Sequence, residues 1–132
     1  MSEKQLFEYA VIRLVPCVDR QEFINVGIIL YSGLKKFLRA DFELSETRLQ
    51  ALCRDTKIEE IREHLDAFAR ICDGGADAGP IGKLSAGERF RWLTAPRSTI
   101  VQTSPVHTGM CFDPEQTLED LMVKMVRSKV TE

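Results

Sequence analysis

The sequence predicts an α+β domain with a mostly antiparallel sheet of about four strands and three to four helices packed on it. Two observations carry that expectation. Three strand-like segments come first and helix-like segments follow. A late segment of alternating apolar residues then returns to the sheet.

The first strand is "FEYAVIRLV", apolar on both faces, with Ala10, Ile12 and Leu14 on one side and Tyr9, Val11 and Val15 on the other. That pattern suits a strand covered above and below, and Pro16 ends it. "VGIILY" is a second such run, closed by the Ser32-Gly33 turn signal. "KKFLRADFEL" alternates cleanly, placing Leu38, Ala40, Phe42 and Leu44 inward, as a half-exposed edge strand would.

Ser45 is placed to cap a short helix carrying Leu49 and Leu52. Thr56 with Glu59 predicts a capping box before Ile58, Ile61, Leu65, Phe68 and Ile71, which recur at helical spacing until Gly74 and Gly75. Residues 73–83 read as a flexible Gly-rich surface loop within one domain spanning 1–132. Ser85 and Glu88 repeat the capping-box spacing before Phe90 and Leu93, and Pro96 closes that helix. Ser98–Thr103 is the fourth strand, after which "SPVHTG" turns the chain. Asp113 caps a last helix with Pro114 in its first turn, burying Leu118, Leu121, Met122, Met125 and Val126.

With 132 residues, 44% of them hydrophobic and 29% charged, the chain can bury a core without covalent staples. The net charge of −2 gives no electrostatic footprint for nucleic acid or an anionic membrane. No signal-peptide pattern and no membrane-spanning run is found, so a cytoplasmic location is expected. The four cysteines lack CxxC spacing and read as free, mostly buried thiols.

"GADAGPIGKLS" imitates a phosphate-binding loop but departs from it at Asp77, where glycine is needed, and at Leu84, where a hydroxyl is needed. It also follows a helix rather than a strand. No cofactor motif is found elsewhere, and two histidines without paired carboxylates predict no metal site.

Arg13 stands out because a guanidinium in a doubly covered strand needs a partner. Glu22 is the expected counter-ion; the alternative is that Arg13 lines a pocket and offers its planar fork to a carboxylate or phosphate. Asn25 is the only asparagine, and Gly27 marks a bulge or a close approach in the second strand. The segment "APRSTIVQTSPVHTG" gathers Arg97, Ser98, Gln102, Ser104 and His107, with Arg89 on the helix before it. Such convergence predicts a polar or anion-binding pocket. His107 is either a general acid or base, or a turn residue held by its own hydrogen bonds.

"YAVIRLVPCVDRQEFINVGIIL" and "ERFRWLTAPRSTIVQTSPVHTG" resemble the bacterial family catalogued as domain of unknown function 3037, and the likeness runs from Phe7 to Val126. The matching positions include Arg13, Pro16, Arg20, Glu22, Phe23, Asn25 and Gly27, then Glu88, Arg89, Arg97, Ser98, Gln102, Ser104, His107 and Gly109. The resemblance implies no activity. It does imply genes beside a HipA-like kinase, and hence a protein partner.

Two functional readings follow. One is a non-catalytic module that binds or regulates a partner, such as that kinase, through the polar pocket. In it the arginines pair internally with Glu22 and Glu88, and apolar surface near Met122 and Met125 marks the contact. The other is a small enzyme acting on a phosphorylated or carboxylated substrate, held by Arg13, Arg89 and Arg97, with His107 moving a proton.

Overall fold

A computed structural model of the protein describes residues 3–127. Its sheet is built around β1 (Gln5–Leu14), the strand with two apolar faces. β2 (Ile24–Ser32) pairs along one side of it, and β3 (Phe37–Phe42) pairs outside β2. The other side of β1 holds β4 (Val101–Thr103) and β5 (His107–Cys111). Every pairing is antiparallel, and the order β3-β2-β1-β4, with β5 also on β1, gives five strands among the described residues. The α+β class stands, with one strand more than the sequence predicts.

That extra strand is β5, in the segment expected to turn. Val11 bonds to Ser104 and Tyr9 lies opposite His107, so Pro105 and Val106 together face Ala10. This is a β-bulge. The bulge absorbs a proline that would break a regular ladder, so the edge resumes instead of ending. The expected strand over Ser98–Thr103 shortens accordingly to β4.

A second bulge lies in β2. Ile12 opposes Gly27 and Arg13 opposes Asn25, leaving Val26 out of the ladder with β1. Its carbonyl accepts the Glu43 N–H instead, at 2.7 Å. The inserted residue reverses the in-out alternation, so Ile24 before it and Val26 itself join Ile29 after it in one core. At Gly27 a Cβ would stand 2.3 Å from the Asp41 carbonyl oxygen, which accounts for the glycine.

The helices are α1 (Glu46–Leu52), α2 (Ile58–Asp73), α3 (Ala86–Leu93) and α4 (Pro114–Met125). Ser45 caps α1 by accepting the Arg48 N–H, and Asp113 caps α4 by accepting that of Glu115. Ser85 and Glu88 form the expected capping box of α3. The box expected from Thr56 and Glu59 does not form: α2 begins after Lys57, and the Thr56 hydroxyl donates to the Cys53 carbonyl. A hydroxyl spent on closing the preceding turn is no longer free to cap. Residues Ala76–Lys83, within the expected loop, wind into 3-10 turns and bury Gly82 beneath Gly75 and Ala78.

Two cores result. Ala10, Ile12, Leu14 and Ile29 pack against Leu49 of α1, Ile61, Leu65 and Phe68 of α2, and Phe90 and Leu93 of α3. On the opposite face Phe7, Val11, Ile28 and Leu30 meet Leu118 and Met122 of α4, together with Val126. Each fully buried side chain of this size contributes about 1.5–3 kcal/mol, which is why α4, only three turns long, stays docked.

Cys17 and Cys53 form a disulfide, which corrects the expectation of four free thiols. Cys72 and Cys111 are free and buried. Among the described residues no helix is long and apolar enough to cross a membrane.

Candidate functional site

The end of β1 forms one wall of a cleft of about 270 Å³. Arg13 projects into it from β1, beside Gln102, its register partner on β4. Arg97 and Ser98 enter from the link between α3 and β4. Val15 belongs to the cleft too, with Val18, Gln21 and Phe23 from the connection after Pro16. That connection winds through a 3-10 turn at Val18–Arg20 and leaves it through Gln21, which adopts the left-handed conformation. The disulfide at Cys17 ties the start of this turn to Cys53, at the end of α1.

Both cations of the cleft lie on aromatic rings. The Arg13 guanidinium sits 4.3 Å from the Phe23 ring centroid, and that of Arg97 sits 4.2 Å from Trp92. Stacking holds a guanidinium flat while leaving its in-plane donors available. Arg97 spends part of that capacity on the Leu93 and Trp92 carbonyls at the end of α3. Burial lowers its pKa from the usual arginine value, and it stays cationic at neutral pH. Arg13 Nε is buried and has no hydrogen-bond partner among the described residues. Among the described residues no carboxylate lines the cleft, so none of them neutralises the two charges from its wall.

Four of the residues singled out in the sequence therefore meet in one place: Arg13, Arg97, Ser98 and Gln102. The others stand apart. Glu22 pairs with Arg20 at 2.8 Å on the surface, so the partner of Arg13 is the Phe23 ring and not the expected carboxylate. Asn25 donates to the Met125 carbonyl at 3.1 Å and ties β2 to the end of α4. Arg89 donates to the Ile71 and Cys72 carbonyls at the end of α2, and to that of Leu84. Glu88 is engaged by Ser85 within the capping box, not by an arginine. Ser104 is buried, with its hydroxyl between the Val11 N–H and the Pro105 carbonyl.

His107 does not line the cleft. It faces Tyr9 across the sheet, its exposed ring 5.3 Å from the tyrosine ring. From Tyr9 to Arg13 the strand advances about 13 Å, beyond the reach of one small substrate. Of the residues expected to mark an apolar surface on α4, Met122 is fully buried and Met125 is partly buried against the second core, while Val123 between them is exposed.

Phe23, Val18 and Gln21 were not among the site residues read from the sequence. Phe23 had a detectable signal: it is an aromatic residue just before the β2 run, with no apolar periodicity of its own. A shallower apolar cleft of about 200 Å³ adjoins the first through Arg97, which lines both; Phe68, Ile71, Trp92 and Leu93 form its floor.

Fold and site together define a three-layer α+β domain with an antiparallel sheet and a cationic cleft at one end of its central strand. Residues 9–126 match the family described as "Protein of unknown function (DUF3037)", and the chain belongs to that family. No curated protein and no solved structure matches it.

Proposed function

We propose that this protein is a non-catalytic binding module whose cleft receives an anionic group, a carboxylate or a phosphate, carried by a partner. The observation that carries the reading is the pairing of Arg13 and Arg97 in a cleft without a carboxylate, with Arg13 Nε left unpartnered. Two guanidinium groups facing a cleft whose wall offers no counter-charge favour an incoming oxyanion, which can accept charge-assisted hydrogen bonds from them. The adjoining apolar cleft would take a neighbouring side chain of the same partner, with Arg97 between the two subsites. The family resemblance suggests a HipA-like kinase as that partner. The enzymatic alternative draws no support from the arrangement, because His107 and Arg89 do not line the cleft.

Trp92 is the only tryptophan and stacks on Arg97, so its fluorescence reports on the cleft. Titration with inorganic phosphate, acetate and an acidic peptide is expected to give a saturable change with at least one of them. Arg13→Ala should weaken that binding by about tenfold or more, the loss of one charge-assisted hydrogen bond, while His107→Ala leaves it unchanged. Absence of saturation with all three probes, or equal affinity in Arg13→Ala, overturns the reading. Co-expression with the kinase followed by size-exclusion chromatography tests the partner separately.

A further inference from the structure

The two edges of the sheet differ in a way that the cleft does not explain. β3 and the turn before it carry Lys35, Lys36, Arg39 and Asp41, charges that discourage another strand from adding there. The opposite edge carries none: no Asp, Glu, Lys or Arg occurs between Arg97 and Asp113, a span holding all of β4 and β5. Polar residues such as Gln102, His107 and Thr108 alternate there with open apolar ones, and the nearest charges come from β1 and the residues before it, Glu8 opposite Thr108 and Lys4 over the Phe112 ring. Met110 is 56% exposed, its cross-strand neighbour Leu6 is 56% exposed, and Phe112 is 53% exposed. Val106 is exposed as well.

The backbone of this edge is also open. Val11 accepts the Ser104 N–H and Val15 donates to the Ile100 carbonyl, so odd-numbered positions of β1 turn their polar groups toward β4 and β5. Antiparallel alternation then points His107, Gly109 and Cys111 inward. It leaves the N–H and C=O of Thr108 and Met110 facing outward.

We infer that β5 is a homodimer edge, pairing antiparallel with β5 of a second copy about a two-fold axis at Gly109. In that register Thr108 of each copy exchanges backbone hydrogen bonds with Met110 of the other, the positions whose polar groups face outward. Phe112 of each copy comes opposite Val106 of the other, which covers two exposed apolar side chains at each end. The missing charges favour a second copy over an unrelated strand. On the two-fold axis Gly109 meets Gly109, and a charge placed close to that axis would approach its own counterpart in the second copy. β5 itself stays clear of the cleft, so this inference does not depend on the proposed ligand.

Sedimentation equilibrium across the micromolar range tests it. The chain is expected to approach twice its 15.0 kDa mass. Met110→Lys should weaken that association by at least about tenfold, since it sets a charge beside the shared edge, and Glu8, diagonal to it on β1, already pairs with Arg91. Leu34→Lys, on an exposed residue of the β2–β3 turn, should leave it unchanged. Register is tested by mixing Thr108→Cys chains with Met110→Cys chains under mild oxidation. Opposed hydrogen-bonded Cα atoms lie about 5.5 Å apart, within disulfide reach, so the mixture should cross-link and neither variant alone should. A monomer at all concentrations, a dimer indifferent to Met110→Lys, or cross-linking independent of mixing overturns the inference.

Discussion

The Val11 N–H donates to the Ser104 hydroxyl at 2.9 Å, while the Ser104 N–H donates to the Val11 carbonyl at 2.8 Å. A side-chain oxygen thus replaces the backbone carbonyl that the bulge at Pro105 and Val106 removes from the ladder. Ser104→Ala leaves a buried N–H without an acceptor. The variant should lose about 1–3 kcal/mol of stability, read from the urea midpoint at constant m-value.

Gly27 should tolerate no side chain. An alanine Cβ would meet backbone, the Asp41 carbonyl, and could be accommodated only by moving β3. Gly27→Ala is expected to cost about 3 kcal/mol, the upper part of the range for overpacking. Hydrogen exchange should show the loss concentrated in β3, where the pairing with β2 must open.

Arg89 serves stability. It supplies donors to the Ile71 and Cys72 carbonyls, orphaned at the end of α2. Arg89→Ala should lower the unfolding free energy by about 1–3 kcal/mol. Anion affinity at the cleft, measured by Trp92 fluorescence, should stay unchanged. Equal losses of affinity in Arg89→Ala and Arg13→Ala would contradict the separation of the two arginines.

Burial pushes the Cys72 thiol up from 9.0 to about 12; the neighbouring Asp73 adds to the shift and Arg89 opposes it. The folded chain therefore holds this proton at pH values where the unfolded chain has released it. The corresponding stability is complete below pH 9.0 and is lost as pH rises toward about 12. Cys72→Ala should flatten the alkaline limb of a stability–pH profile. At mildly alkaline pH the wild-type thiol should resist alkylation until the chain unfolds.

The first three strands and three of the helix starts were legible because each rests on local chemistry. β1 is apolar on both faces, β3 alternates, and Ser45, Ser85 and Asp113 cap the helices that follow them. β5 was hidden by Pro105, which reads as the end of a strand unless the bulge is known. Arg13 could be picked out because it is a cation in an apolar strand, and Arg97 because it opens the polar stretch that follows Pro96. His107, Ser104 and Arg89 shared the same polar density, but their hydrogen bonds and contacts go to Tyr9, Val11 and the end of α2. A sequence lists polar groups without showing which ones the fold has already used. The Cys17–Cys53 pair was beyond reach for a similar reason, since the fold alone brings the end of β1 beside the end of α1.

That disulfide joins the turn carrying Val18 and Gln21 to the rest of the fold. Glutathione and thioredoxin keep such bonds open in most cytosols, whereas secretory and periplasmic spaces keep them closed. The same polypeptide would then exist in two forms, one with the lip of its cleft clamped and one with it free to swing. Protein purified in air and protein inside a living cell need not greet a visitor with the same grip.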